Sequence, residues 1–262
     1  MHPNTFLNPV ILSGRSFTHE SFRAQLLEEQ AGALASLGHH EWSVPDACRA
    51  KVDATGTLKP FHGDTVVLPL EPEAIARLRV IQGQLIEGGG EWLSDPLEPS
   101  TFHVTLHDLS ASLRAEELRD GLESNREQVR NLFGELGKIL RDDPSLARVT
   151  LRATRIFPCM NISVLAGFSP VSERDFRVLM NAHALFDEVV VLGYWLRPHV
   201  TLAYFRPMPP PGGERQALIA ALGRLNDPDL EIVLDLRDLA YQRFTSMNHY
   251  ETEFRVREAL KP

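Results

Sequence analysis

Residues 198–205 read PHVTLAYF, and the four letters HVTL have occurred once already, at 103–106 within STFHVTLHDLS (100–110), 96 positions earlier. Both copies carry the alternation of a half-buried strand. Residues two apart on a strand share a face, so His103 stands with Thr105 and His199 with Thr201. Val104 and Leu106, like Val200 and Leu202, turn the other way and read as core.

Working outward, each copy has the same setting. DTVVLPL (64–70) predicts a strand and residues 71–89 a helix that stops at Gly88–Gly90, immediately before the first copy. NISVLAGF (161–168) predicts a strand and residues 172–189 a helix before the second. A long helical region (114–144) and a strand (147–158) lie between the two units. A helix (214–226) and strands at 230–244 and 249–256 follow them. Strand, helix and HVTL strand thus occur twice, the pattern of a duplicated α+β lobe. Residues 1–58 read as an N-terminal extension packed on a domain of residues 59–262, with a helix over 18–38 for which Thr18 and Ser21 offer a cap.

Composition narrows the classes of function. Of the 262 residues, 43% are hydrophobic and 24% charged, which excludes disordered and fibrous chains. A net charge of −8 argues against coating duplex DNA or an anionic membrane, yet leaves room for a local basic pocket. Cys48 and Cys159 are too far apart in sequence to suggest a disulfide framework or a thiolate zinc site. The longest nearly apolar run, VVVLGYWL (189–196), is far shorter than a membrane span, and the N-terminus lacks the basic start of a secretory signal. A cytoplasmic protein is expected. IEGGGEW (86–92) follows a helix instead of opening one, so it reads as a helix stop and not as a phosphate loop. His39 and His40, beside Glu41, lack the spacing of helix-borne metal ligands and read as a loop pair.

If the two strands meet, two imidazoles and two hydroxyls converge. That set suits phosphoryl transfer without a metal: one neutral histidine takes a proton from water and the other, protonated, supplies one to the departing oxygen. Threonine hydroxyls would donate to phosphate oxygens as charge builds on them. The doubled HVTL, its second copy in RPHVTLAYF, resembles the signature of the 2H phosphoesterase superfamily, which includes bacterial RNA 2′,3′-cyclic phosphodiesterases of the LigT type. The resemblance spans roughly residues 60–255. It implies two pseudo-symmetric lobes, each an antiparallel sheet with outer helices, around a central cleft. It also implies a nucleotide or RNA-end phosphate substrate, no metal or other cofactor, His103 and His199 as the acid–base pair, and Thr105 and Thr201 as phosphate-binding hydroxyls. A monomer is expected, because two lobes already supply the symmetry a dimer would provide. The extension and the long helix after the first motif depart from compact members of that superfamily.

Further candidates follow from strand parity. Arg197 shares the face of His199 and reads either as a phosphate contact or as a solvated strand end. His107 continues the face of Thr105, as a contact to a remote part of the substrate or as an exposed strand-end histidine beside Asp108, and Phe205 continues that of Thr201, as a base-stacking ring or as core. Phe61 and His62 stand at the mouth of the first strand, as pocket walls or as turn residues.

Overall fold

The computed structural model describes residues 3–12, 15–38, 42–210, 212–226 and 228–259; His39, His40 and Glu41 lie outside them. A short hairpin, β1 (Val10–Leu12) and β2 (Arg15–Phe17), precedes α1 (His19–Leu37) and α2 (Asp46–Lys51). The first repeated unit is β3 (His62–Pro69), α3 (Pro72–Gly89) and β4 (His103–Ser112). Next come α4 (Arg119–Asp142) and β5 (Arg148–Cys159), then the second unit, β6 (Ser163–Pro170), α5 (Glu173–Leu185) and β7 (His199–Tyr204). The chain finishes with α6 (Glu214–Arg224), β8 (Glu231–Asp235), β9 (Ala240–Ser246), β10 (His249–Arg255) and α7 (Val256–Ala259).

The result is an α+β molecule with two four-stranded sheets, ordered β10-β9-β3-β4 and β8-β5-β6-β7, every neighbouring pair antiparallel. The HVTL strands β4 and β7 are the edge strands of their sheets and pack against one another. The apolar runs of β3 and β6 become strands buried over nearly their whole length, the expected fate of continuous β-branched segments with neighbours on both sides.

Two expectations change. The strand read over 230–244 is broken, because the Asp235 carboxylate accepts from the backbone N–H of Arg237 (3.0 Å) and turns Leu236–Asp238 into a 3₁₀ turn. β8 therefore ends the second sheet, whereas β9 and β10 return to complete the first, so the strands of the second sheet run consecutively from β5 to β8 and only the first sheet is assembled from two separate stretches of chain. The long helix begins at Arg119, after a separate 3₁₀ turn at Ala115–Glu117.

Helices cross between lobes. α3, which precedes β4, packs on α6 and β7; α5, which precedes β7, packs on β5 and β6 and also on β4. α3 ends where the glycines predict, with Gly90 at φ +50°, a backbone region that favours glycine. α1 lies on β5 and α5, with Phe22 against Phe176 and Trp195 at ring separations of 5.0 and 5.1 Å. Its start carries the full reciprocal cap between Thr18 and Ser21. No helix among the described residues is long and apolar enough to cross a membrane.

Candidate active site

His103, Thr105, His199 and Thr201 line one cleft of about 390 Å³ between the sheets. Each imidazole is held in the same way: Nδ1 of His103 lies 2.7 Å from the carbonyl of Thr101, and Nδ1 of His199 lies 2.7 Å from that of Arg197. A carbonyl only accepts, so Nδ1 carries the proton and donates it, and Nε2 is left for chemistry. Both rings are desolvated at the cleft floor. That burial holds His103 down to about 4, with His199 adding repulsion and the Thr101 carbonyl and Asp108 opposing it. His199 is lowered for the same first reason. Near neutrality both are therefore uncharged.

A second symmetry lies just beyond each threonine. On β4, Val67 pairs with Thr105 and Val66 with His107, leaving Leu106 unopposed; on β7, Leu165 pairs with Thr201 and Val164 with Ala203, leaving Leu202 unopposed. Each is a bulge at the last letter of HVTL. The carbonyls involved are satisfied by helix side chains: Nδ1 of His183 on α5 donates to Leu106 (2.7 Å) and Nε2 of Gln82 on α3 donates to Leu202 (2.9 Å). Each helix thus caps the reactive strand of the other unit.

The bulges reverse side-chain parity, which corrects two candidates. His107 does not continue the cleft face; it is 1% exposed on the opposite side of β4, with its ring 4.9 Å from that of His183. Phe205 is not a stacking platform; it is fully buried against Trp42 and Trp92. Asp108 and Tyr204, each three positions after a motif threonine, line the cleft instead.

The remaining candidates divide. Phe61 lines the cleft, stacked on Phe244 at 6.0 Å, whereas His62 pairs with Ser112 at the start of β3 and is not among the lining residues. Arg197 is not a cleft residue either; it forks onto Glu29 of α1 (2.6 and 3.3 Å) and lies over the Trp195 ring at 4.2 Å. Its contribution is the backbone carbonyl that orients His199.

Sequence reading missed Lys51, Asp108, Tyr204 and Tyr250. Lys51, at the end of α2, reaches the cleft from the segment before residue 59, with its ammonium 5.2 Å from the centre of Phe61 and 5.4 Å from that of Tyr204. Burial lowers its pKa, opposed chiefly by Asp108. Asp108 accepts from the Tyr194 hydroxyl (2.6 Å), and the Tyr250 ring meets His103 edge-on at 5.0 Å. Beneath the cleft, buried Asp64 accepts from Asn125, from Tyr241 (2.9 Å) and from the backbone of Ser110 (2.9 Å). The cleft thus offers the two histidine bases, the two motif hydroxyls, the Lys51 ammonium, the Asp108 carboxylate and several aromatic faces.

No protein-family model matches the chain, and no curated protein sequence matches it. Among solved structures it is similar to the conserved protein of unknown function ATU0111 from Agrobacterium tumefaciens str. C58, with a TM-score of 0.59 and 16% identity over 85% of this chain and 98% of that one. That likeness concerns the fold. Weaker similarities reach TT0787 of Thermus thermophilus (TM-score 0.45, 21% identity, 73% and 94% covered) and Usb1 of Kluyveromyces marxianus (TM-score 0.38, 12% identity, 74% and 97% covered).

Proposed function

We propose that this chain is a phosphodiesterase of the 2H type, opening 2′,3′-cyclic phosphates or 2′-linked phosphodiesters of nucleotides or RNA ends by acid–base catalysis between His103 and His199. The observation that carries this reading is the pair of equivalent His-x-Thr faces on one cleft, each imidazole fixed with Nε2 free. One Nε2 removes a proton from water as its oxygen bonds to phosphorus; the other, as imidazolium, protonates the ribose oxygen as its P–O bond breaks. The product is a phosphomonoester, and the pair ends with its single proton transferred from one ring to the other.

An anionic substrate stabilises the required imidazolium, whose proton comes from solvent. A phosphate placed between the rings favours the charged form of histidine and offsets the desolvation that otherwise keeps both neutral. Thr105 and Thr201 donate to the non-bridging oxygens, and the Lys51 ammonium balances their charge. Tyr250, Phe61 and Tyr204 provide faces for a nucleobase. Both histidines come from one chain, so a monomer suffices; a single lysine among the described cleft residues suits a nucleotide or strand end and not the phosphate rows of a duplex, and nothing in the reading calls for a membrane.

The test is incubation of the protein with 2′,3′-cyclic nucleoside monophosphates and cyclic-ended RNA oligomers in excess chelator, with product identification. Monoester release supports the reading. Tight nucleotide binding with no turnover of any cyclic substrate would instead identify a sensing module built on the same cleft.

A further inference from the structure

We propose that His107, His183 and Asp187 bind one divalent transition-metal ion of the zinc class, at a site separate from the cleft that clamps β4 to α5. One potential ligand atom from each residue lies within 4.8 Å of the other two. Nε2 of His107 and Oδ1 of Asp187 are already 3.2 Å apart, close to the edge of about 3.3 Å that a tetrahedron with bonds of about 2.0–2.1 Å requires.

The imidazoles are prepared for this role. Nδ1 of His107 donates to the carbonyl of Asp108 (2.7 Å) and Nδ1 of His183 to that of Leu106 (2.7 Å), so each neutral ring keeps an Nε2 lone pair. Carbonyl support of the far nitrogen is what metal-bound histidines ordinarily have. The two side chains are 1% and 4% exposed, and burial further favours neutral His183. Nε2 of His107 faces the Asp187 carboxylate oxygen, an arrangement that a shared metal ion or a second ring proton would satisfy, and the binding experiment below distinguishes the two.

The other unit sharpens the point. At the equivalent bulge, Gln82 caps the Leu202 carbonyl and Ala203 occupies the place of His107. Capping therefore requires neither histidine. Asp187 keeps 41% of its side chain exposed, leaving an entry path and room for water as a fourth ligand, and among the described residues no lysine or arginine pairs with it. Two imidazoles and one carboxylate favour zinc-class ions over magnesium or calcium.

The experiment uses the full chain, stripped with chelator and dialysed. Added Zn²⁺ should bind at one equivalent and raise the melting temperature, and Co²⁺ should give the visible bands of a four-coordinate ion. The doubly substituted His103→Asn, His199→Asn chain should retain both signals, which separates this site from the cleft. His183→Gln keeps an amide able to cap Leu106 and should weaken metal binding at least ~100-fold. The part-exposed Asp187→Asn should do the same if the first variant fails to fold. Absence of binding to the wild-type chain, binding unchanged in both ligand variants, or binding lost with the cleft histidines would overturn the proposal.

Discussion

At the scale of single residues, the account rests on His103, His199, Thr105 and Thr201. Thr105→Val and Thr201→Val each remove one donor to the phosphate oxygens. Each should lower kcat on a cyclic nucleotide by roughly 100-fold with little change in KM, measured in steady-state assays. Lys51→Met should act differently, raising KM and weakening the salt dependence of binding, because it removes charge balance without touching the proton path. The pH profile follows from the downward shifts of both rings. The free protein is competent when the pair carries one proton, so kcat/KM should peak below pH 6.5. Bound phosphate raises both pKa values, so the kcat optimum should lie higher. The chemical side chains were legible in sequence because period-two alternation exposes them. Lys51 was not, because its helix is only six residues long and its approach depends on tertiary packing.

At the scale of elements, the decisive features are the two bulges. Parity arguments hold through the leucine that ends each motif and fail at the next residue, two after the threonine, which is why His107 and Phe205 were misplaced and Asp108 and Tyr204 overlooked. A bulge is set by cross-strand and cross-helix hydrogen bonds, and no pattern of hydrophobic letters encodes it. The caps can be tested directly. Gln82→Leu should leave the buried Leu202 carbonyl short of its side-chain donor, costing about 1–3 kcal/mol in denaturant unfolding. It should also slow turnover by loosening the strand that carries His199. Gly63→Ala should be disruptive too, since an added methyl would stand 2.1 Å from the Ser110 carbonyl on the neighbouring strand. The broken strand after Asp235 belongs to the same lesson: a local carboxylate turn overrode an apolar run that read as continuous.

At the scale of the whole molecule, the duplication was legible because it repeats element order as well as letters. The return of β9 and β10 to the first sheet was not, since strand order is a long-range property. Two desolvated histidines at the joint also give the fold a pH dependence. Between about pH 4 and 6.5 the unfolded chain binds more protons than the folded one at His103, so stability is full above 6.5 and falls as the pH drops toward 4. The loss attributable to His103 is at most about 3 kcal/mol, and His103→Asn should flatten that part of the stability profile. The central claim, that two strands from two units form one acid–base device, is tested most directly by the kinetics of His103→Ala, His199→Ala and the double variant on a 2′,3′-cyclic nucleotide. A single proton relay predicts that each substitution lowers kcat at least ~100-fold and that the double variant is scarcely worse than either one. Wild-type turnover that survives both substitutions unchanged would contradict it.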